Sequence, residues 1–317
     1  MSDHHDRLAA ALELDAEILA SLTGSDEAMN ALVTAVEALA NQGADASAAD
    51  VAQIRELLMS DDPTHQEQAF AFLESLEDET AWSAIVQGCH LDEEGHFHSD
   101  ELKLTHSVFR AFCQNPFADH SAVTKLNLSG PWFNKYDAPV GWLDMGKLAC
   151  LQRLPALRKL FLNGNNAIEA DISALGALTE LTFIDLHDTA ADVSGLTELT
   201  KLTVLDIRSC TWSKDTVAKM TALSLLWIDL KGGRLPALST LSALKKLRVI
   251  GNPEGSVASD LHGLTSLEKL GIGARGSNRD ADLPRFGPPS ILDAVPTLDT
   301  LTQLTVGLKV ELRSDYD

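Results

Sequence analysis

Two kinds of hydrophobic spacing divide the chain. Up to about residue 120 apolar residues recur at helical intervals, and from residue 123 they recur in the order apolar-x-x-apolar-x-apolar. In the first part Leu8, Leu12, Leu19 and Leu22 mark one face of a helix over 7–22. A second helix starts near Ser25-Asp26-Glu27, and NQGADAS (41–47) separates it from a helix over 48–59. Asp62-Pro63 predicts the start of a helix over 63–76, because proline in the first turn sacrifices no helical hydrogen bond. A shorter helix covers 79–87. GCHLDEEGHFH (88–98) predicts a β-hairpin turning at Asp92–Gly95, and a helix over 105–114 follows.

The second pattern occurs eight times: VTKLNL (123–128), LRKLFL (157–162), LTFIDL (181–186), LTVLDI (202–207), LLWIDL (225–230), LKKLRV (244–249), LEKLGI (267–272) and LTQLTV (301–306). Successive starts lie 34, 24, 21, 23, 19, 23 and 34 residues apart. Asn165, Cys210 and Asn252 take the ninth position of their copies. Regular recurrence at this period is the mark of a solenoid, in which no unit can bury its leucines alone and stacking supplies a shared core.

These copies resemble the leucine-rich-repeat family, in particular its short internalin-like repeats, over about 123–312. The clearest stretch is DISALGALTELTFIDLHDTAADVSGLTELTKLTVLDI (171–207). The resemblance implies an α/β fold: a leucine-rich-repeat solenoid with eight parallel strands on a concave face, preceded by an α-helical N-terminal domain. It also implies that the ninth residue is buried and hydrogen-bonds the turn backbone. The helices at 50–59 and 63–76, joined by MSDDP, resemble a HEAT hairpin. The expected domains are therefore 1–120 and 121–317.

Strand alternation sends the third, fifth and seventh positions of each copy to the open face. In the frame above, Phe161, Phe183, Val204 and Trp227 expose apolar surface there. Asp185, Asp206 and Asp229 form a ladder of like charges on adjacent strands, which is unfavourable unless compensated. Arg208 and Lys231 follow two residues after Asp206 and Asp229, and His187 follows Asp185. Aromatic anchors beside charges that set orientation suit a docking surface for a protein or peptide. The other reading is a self-compensated, solvated sheet. Gly271, Gly273 and Gly307 leave the later strands bare, so binding is expected on repeats 2–6.

Two insertions lengthen the array. Residues 130–146 hold Trp132, Phe133, Tyr136 and Trp142, which either cover the first repeat or form a lip to the concave site. Residues 275–290 are rich in Arg, Gly and Pro.

Charge sharpens the division. The net charge is -21; residues 1–120 carry 24 acids and 4 bases, whereas residues 121–317 carry 22 and 21. The first half repels a phosphate backbone and the second has no excess to attract one, so nucleic acid is disfavoured as a partner. The acidic helices either solvate their own faces or steer a basic partner. Four cysteines without a CxxC motif fit free thiols in a reducing compartment, and no secretory or membrane-spanning segment is read. A cytoplasmic location is expected.

Catalytic motifs are missing from the pattern: there is no GxSxG, no phosphate-binding GxxxxGK[ST], and GIGARG (271–276) lies inside a repeat turn. No enzyme and no cofactor are expected. One alternative is a metal-dependent enzyme or metal sensor, since His90, His96 and His98 on the hairpin near Asp92, Glu93 and Asp100 have zinc-ligand chemistry. His4 and His5 are a lesser candidate. A second alternative is a structural scaffold without a ligand.

Overall fold

The computed structural model describes residues 48–100, 102, 105–130, 143–165, 172–230, 238–250, 261, 263–273 and 302–306. The helices expected at 7–22 and from Ser25, the His4-His5 pair, the aromatic residues at 132–142, Lys231, Asn252, Gly307 and the insertion at 275–290 lie outside the described residues. The chain divides into two compact units, with the boundary between His120 and Ser121.

In the first unit α1 (Ala48–Met59) and α2 (Pro63–Ser75) are joined by three residues and pack on each other. The Asp62 carboxylate caps α2 by accepting from the Thr64 N–H at 2.8 Å, with Pro63 in the first turn. Asp78 caps α3 (Glu79–Ile85) in the same way through Thr80. The hairpin of β1 (Cys89–Leu91) and β2 (Phe97–Ser99) follows, with His90 opposite His98. Its turn needs a left-handed residue, and Gly95 supplies it at φ 82°. Thr105 then caps α4 (His106–Gln114) and donates its hydroxyl to the Leu58 carbonyl, tying α4 to α1. Leu58, Leu73, Ile85, Val108 and Phe109 are fully buried, each worth roughly 1.5–3 kcal/mol of burial. Among the described residues no helix is long and apolar enough to cross a membrane.

Among the described residues the second unit is built on eight parallel strands in chain order: β3 (Lys125–Asn127), β4 (Lys159–Phe161), β5 (Phe183–Asp185), β6 (Val204–Ile207), β7 (Leu225–Asp229), β8 (Lys246–Ile250), β9 (Lys269–Gly273) and β10 (Gln303–Val306). Sequential parallel pairing requires the chain to cross back behind the sheet after every strand. It does so through short 3-10 turns, such as Ser173–Ala177 and Val193–Glu198, and through α5 (Lys214–Lys219). Their Leu175, Leu196 and Val217 share one interior with the strand residues Leu160, Ile184 and Leu205, and all six are fully buried.

Two positions after each strand hold the exit turn. The eighth position takes a left-handed conformation in three successive repeats, at Gly164 (φ 74°), Asp188 (57°) and Ser209 (69°). Glycine, aspartate and serine are residues that such a turn tolerates. At the ninth position Asn165 is buried and donates its amide to the carbonyls of Leu162 and Leu128, 2.8 and 2.7 Å away. Thr189 and Cys210 repeat the role, donating to the Leu186 carbonyl from either side. The buried ninth residue is thus as the sequence implied, with threonine an additional member.

Replacing Asn165 with alanine leaves two buried carbonyls without donors, and at about 1 kcal/mol or more for each the unit should lose roughly 2–3 kcal/mol. Urea denaturation of the full chain checks this. A midpoint equal to that of the unmodified protein would show that the ninth-position ladder is dispensable.

Candidate functional site

Cross-strand pairing fixes which outward residues are neighbours. The third-position column reads Lys125, Lys159, Phe183, Val204, Leu225, Lys246, Lys269 and Gln303. The fifth-position column reads Asn127, Phe161, Asp185, Asp206, Trp227, Arg248, Gly271 and Thr305. One strand differs from the sequence expectation. Asp206 pairs with Trp227 and Val204 with Leu225, so the fifth copy is LSLLWI (223–228) and not LLWIDL. Leu223, Leu226 and Ile228 are fully buried, whereas Leu225 and Trp227 are half-exposed. The segment satisfies the leucine pattern in both frames, and the core accepts the one that keeps Leu202, Leu223 and Leu244 at equal intervals of 21 residues.

The correction moves two site residues. Trp227 belongs to the fifth column, beside Asp206. Asp229 leaves the ladder for the seventh position, opposite Ile250, and is buried. The ladder of three aspartates is therefore a pair, Asp185 and Asp206.

Phe161 and Phe183 sit on adjacent strands with ring centroids 4.6 Å apart. From them the half-exposed side chains of Val204 and Leu225 continue across β6 and β7 to Trp227. Trp227 in turn lies under Arg208, whose guanidinium carbon is 4.9 Å from the ring, with Arg248 at 5.9 Å. A contiguous apolar strip on a strand face that the solenoid does not bury against itself is unlike a scatter of single exposed residues.

The two aspartates do more local work than charge display. Each accepts from the backbone N–H two residues on: Asp185 from His187 at 3.1 Å and Asp206 from Arg208 at 3.2 Å, as Asn127 does from Ser129. They hold the strand exits. Their charges are met on the spot. Arg208 grips Asp206 with Nε at 2.8 Å and Nη2 at 2.5 Å, while His187 Nδ1 donates to Asp185 Oδ1 at 2.7 Å and lies 3.7 Å from Asp206 Oδ2. Burial pushes the Asp206 carboxyl above the ordinary aspartate pKa, and the charge and hydrogen bonds of Arg208 only partly offset it. For His187 burial acts to lower the pKa, but the hydrogen bond it donates to Asp185 and the charges of Asp185 and Asp206 outweigh it and raise the pKa.

Asp185, His187 and Asp206 are also the group among the described residues whose carboxylate and imidazole ligand atoms all come within 4.8 Å of one another. The chemistry of the set argues against a metal there. A guanidinium already occupies the Asp206 carboxylate, and its positive charge would stand against any incoming cation.

Short parallel strands recurring every 21 to 34 residues, leucine-lined inside and turned by a buried Asn, Thr or Cys, define the architecture. The second unit is a leucine-rich-repeat solenoid. No family model matches the sequence, and no curated protein matches it. Among solved structures the chain is similar to internalin C2 of Listeria monocytogenes, with 18% identity, a TM-score of 0.46, and coverage of 81% of this chain and 91% of that one. It is also similar to a leucine-rich-repeat protein of Leptospira interrogans, with 16% identity, a TM-score of 0.40, and coverage of 61% and 57%. A plant peptide hormone receptor solved in complex with RGF2 shares 20% identity at a TM-score of 0.32, covering 50% of this chain and 25% of the receptor.

Away from the solenoid, the hairpin histidines are drawn onto one carboxylate. His96 Nδ1 and His98 Nε2 lie 3.0 and 3.2 Å from the same oxygen of Asp92. His90 stacks on His98 with centroids 5.1 Å apart and faces the Gly88 carbonyl through Nδ1 at 3.3 Å. Burial acts to raise the Asp92 pKa, yet the His96 backbone N–H and both imidazoles hold it well below the usual carboxylate range. Three histidines do gather as the sequence suggested. Those two imidazoles, however, are hydrogen-bonded to Asp92, and the cluster does not bring three ligand atoms within 4.8 Å of one another.

The raised His187 pKa carries a pH signature. Protonated His187 stabilises the solenoid below the unfolded histidine value of about 6.5, and that contribution is lost as pH rises through the higher folded value. The destabilisation caused by His187→Asn should accordingly be larger at pH 6 than at pH 8.5. Urea midpoints at the two pH values measure it, and an NMR titration of His187 should place its midpoint above the free-histidine value. A midpoint below that value would contradict the network.

Proposed function

We propose that this protein is a non-enzymatic binding module whose solenoid docks a protein or peptide segment on its concave face. The observation that carries the reading is the contiguous strip from Phe161 and Phe183 through Val204 and Leu225 to Trp227, held half-exposed by the strands. Phe161, Phe183 and Trp227 are the anchors, because large rigid side chains gain the most contact area for little lost conformational freedom. Asp185, Asp206, His187 and Arg208 serve as a fixed polar floor. Their hydrogen bonds lock the strand exits, so a ligand meets a prearranged surface and loses less free energy to ordering. Asp229, buried at the seventh position, supports β7 and is not a contact residue in this reading.

The test is a peptide-display selection against the immobilised full chain. Binders recovered on the unmodified protein should bind a Phe183→Ala/Trp227→Ala double variant at least tenfold more weakly, while its circular dichroism and denaturation remain cooperative. Binders that hold the double variant as tightly would place recognition elsewhere on the chain.

A further inference from the structure

The corrected register gives the third-position column an order that composition alone does not suggest: lysine, lysine, phenylalanine, valine, leucine, lysine, lysine. Lys125 pairs directly with Lys159 on β3 and β4, and Lys246 pairs directly with Lys269 on β8 and β9. Phe183, Val204 and Leu225 fill the three strands between. Like charges placed directly opposite on neighbouring strands are destabilising, and among the described residues no acid pairs with either of these two pairs. Lys159, Lys246 and Lys269 are exposed and make no ion pair among the described residues, and Glu268, next to Lys269, is engaged by Lys245 at 3.5 Å. Arg248 is exposed beside Trp227 and adds a further positive charge at the β8 end. The acids of the same face are already spent: Asp206 is gripped by Arg208, Asp185 by His187, and Asp229 is buried.

Resting on the docking reading above, we infer that the segment this face accepts is acidic at both ends and apolar at its centre, and lies extended across the strands. Charge complementarity selects the ends and the Phe183–Val204–Leu225 strip takes the middle. The spacing follows from the sheet. Four strand-to-strand steps of about 4.8 Å separate Lys159 from Lys246, roughly 19 Å, which an extended chain at about 3.3 Å per residue spans in about six residues. Six steps separate Lys125 from Lys269, roughly 29 Å, or about nine residues. Two inner and two outer carboxylates on a nine-residue segment therefore reach both lysine pairs.

The probe is a fluorescein-labelled peptide, Glu-Asp-Gly-Leu-Phe-Val-Gly-Asp-Glu, followed by anisotropy with the full chain, alongside a partner peptide in which every acid is lysine. The acidic peptide should bind, weaken at least tenfold between 50 and 500 mM salt as about 14 Å of screening length shrinks toward about 4 Å, and weaken at least tenfold in a Lys159→Glu/Lys246→Glu variant. Because Lys125 and Lys269 remain, that variant neutralises each end of the strip and should bind the acidic and the basic peptide to a similar extent. Both replaced side chains are exposed, so the fold is retained. If the basic peptide binds the unmodified chain as well as the acidic one does, or if charge reversal changes nothing while Phe183→Ala/Trp227→Ala still abolishes binding, the acidic specificity is overturned and the docking strip stands. Loss of neither peptide on Phe183→Ala/Trp227→Ala overturns both. Self-association of the full chain that the charge reversal abolishes, with no peptide bound, would give the face to a second copy and overturn the inference.

Discussion

Every outward residue of the solenoid is placed by an inward one. Leucines at the first, fourth and sixth positions of neighbouring coils share one interior, and because strand side chains alternate, burying that set forces the third, fifth and seventh positions into register on the open face. A slip of two residues leaves the alternation intact but exchanges the columns, so the identity of the face depends on which leucines the core accepts. At β7 the core takes Leu223, Leu226 and Ile228, and this choice sets Trp227 beside Asp206 and leaves Leu225 between Val204 and Lys246.

The polar residues of the face are constrained by the same stacking. A charge on one strand is repeated within about 4.8 Å on the next, so uncompensated charges accumulate. Asp185 and Asp206 are tolerated because each bonds its own strand exit and each has a cation within reach. Among the described residues the lysine pairs at either end of the strip have no such compensation. That contrast separates residues that serve the fold from residues left to meet something else.

Much of this was legible beforehand, for a physical reason in each case. The leucine period located the eight strands, and Asp62-Pro63 located the start of α2, because capping is a local interaction. The buried role of Asn165 and Cys210 is what the resemblance to leucine-rich repeats implies for the ninth position. The frame of the fifth copy was misread because LSLLWIDL offers leucines to both phases, although its even 21-residue spacing carried the answer. Two features had no local signature. The exit-capping role of Asp185 and Asp206 depends on backbone geometry, and the convergence of His96 and His98 on Asp92 depends on how the hairpin closes. The lysine pairing shows only in the cross-strand register, which sets Lys125 opposite Lys159 and Lys246 opposite Lys269.

The register itself can be measured without a ligand. In the full chain, cysteines introduced by Val204→Cys and Leu225→Cys should close a disulfide under mild oxidation, since direct cross-strand partners fall within the Cα separation of about 4.4–6.8 Å that a disulfide needs. Cysteines from Val204→Cys and Trp227→Cys should not. Peptide mapping by mass spectrometry that finds the second bridge and not the first would show β7 shifted by two residues and would dissolve the face described here.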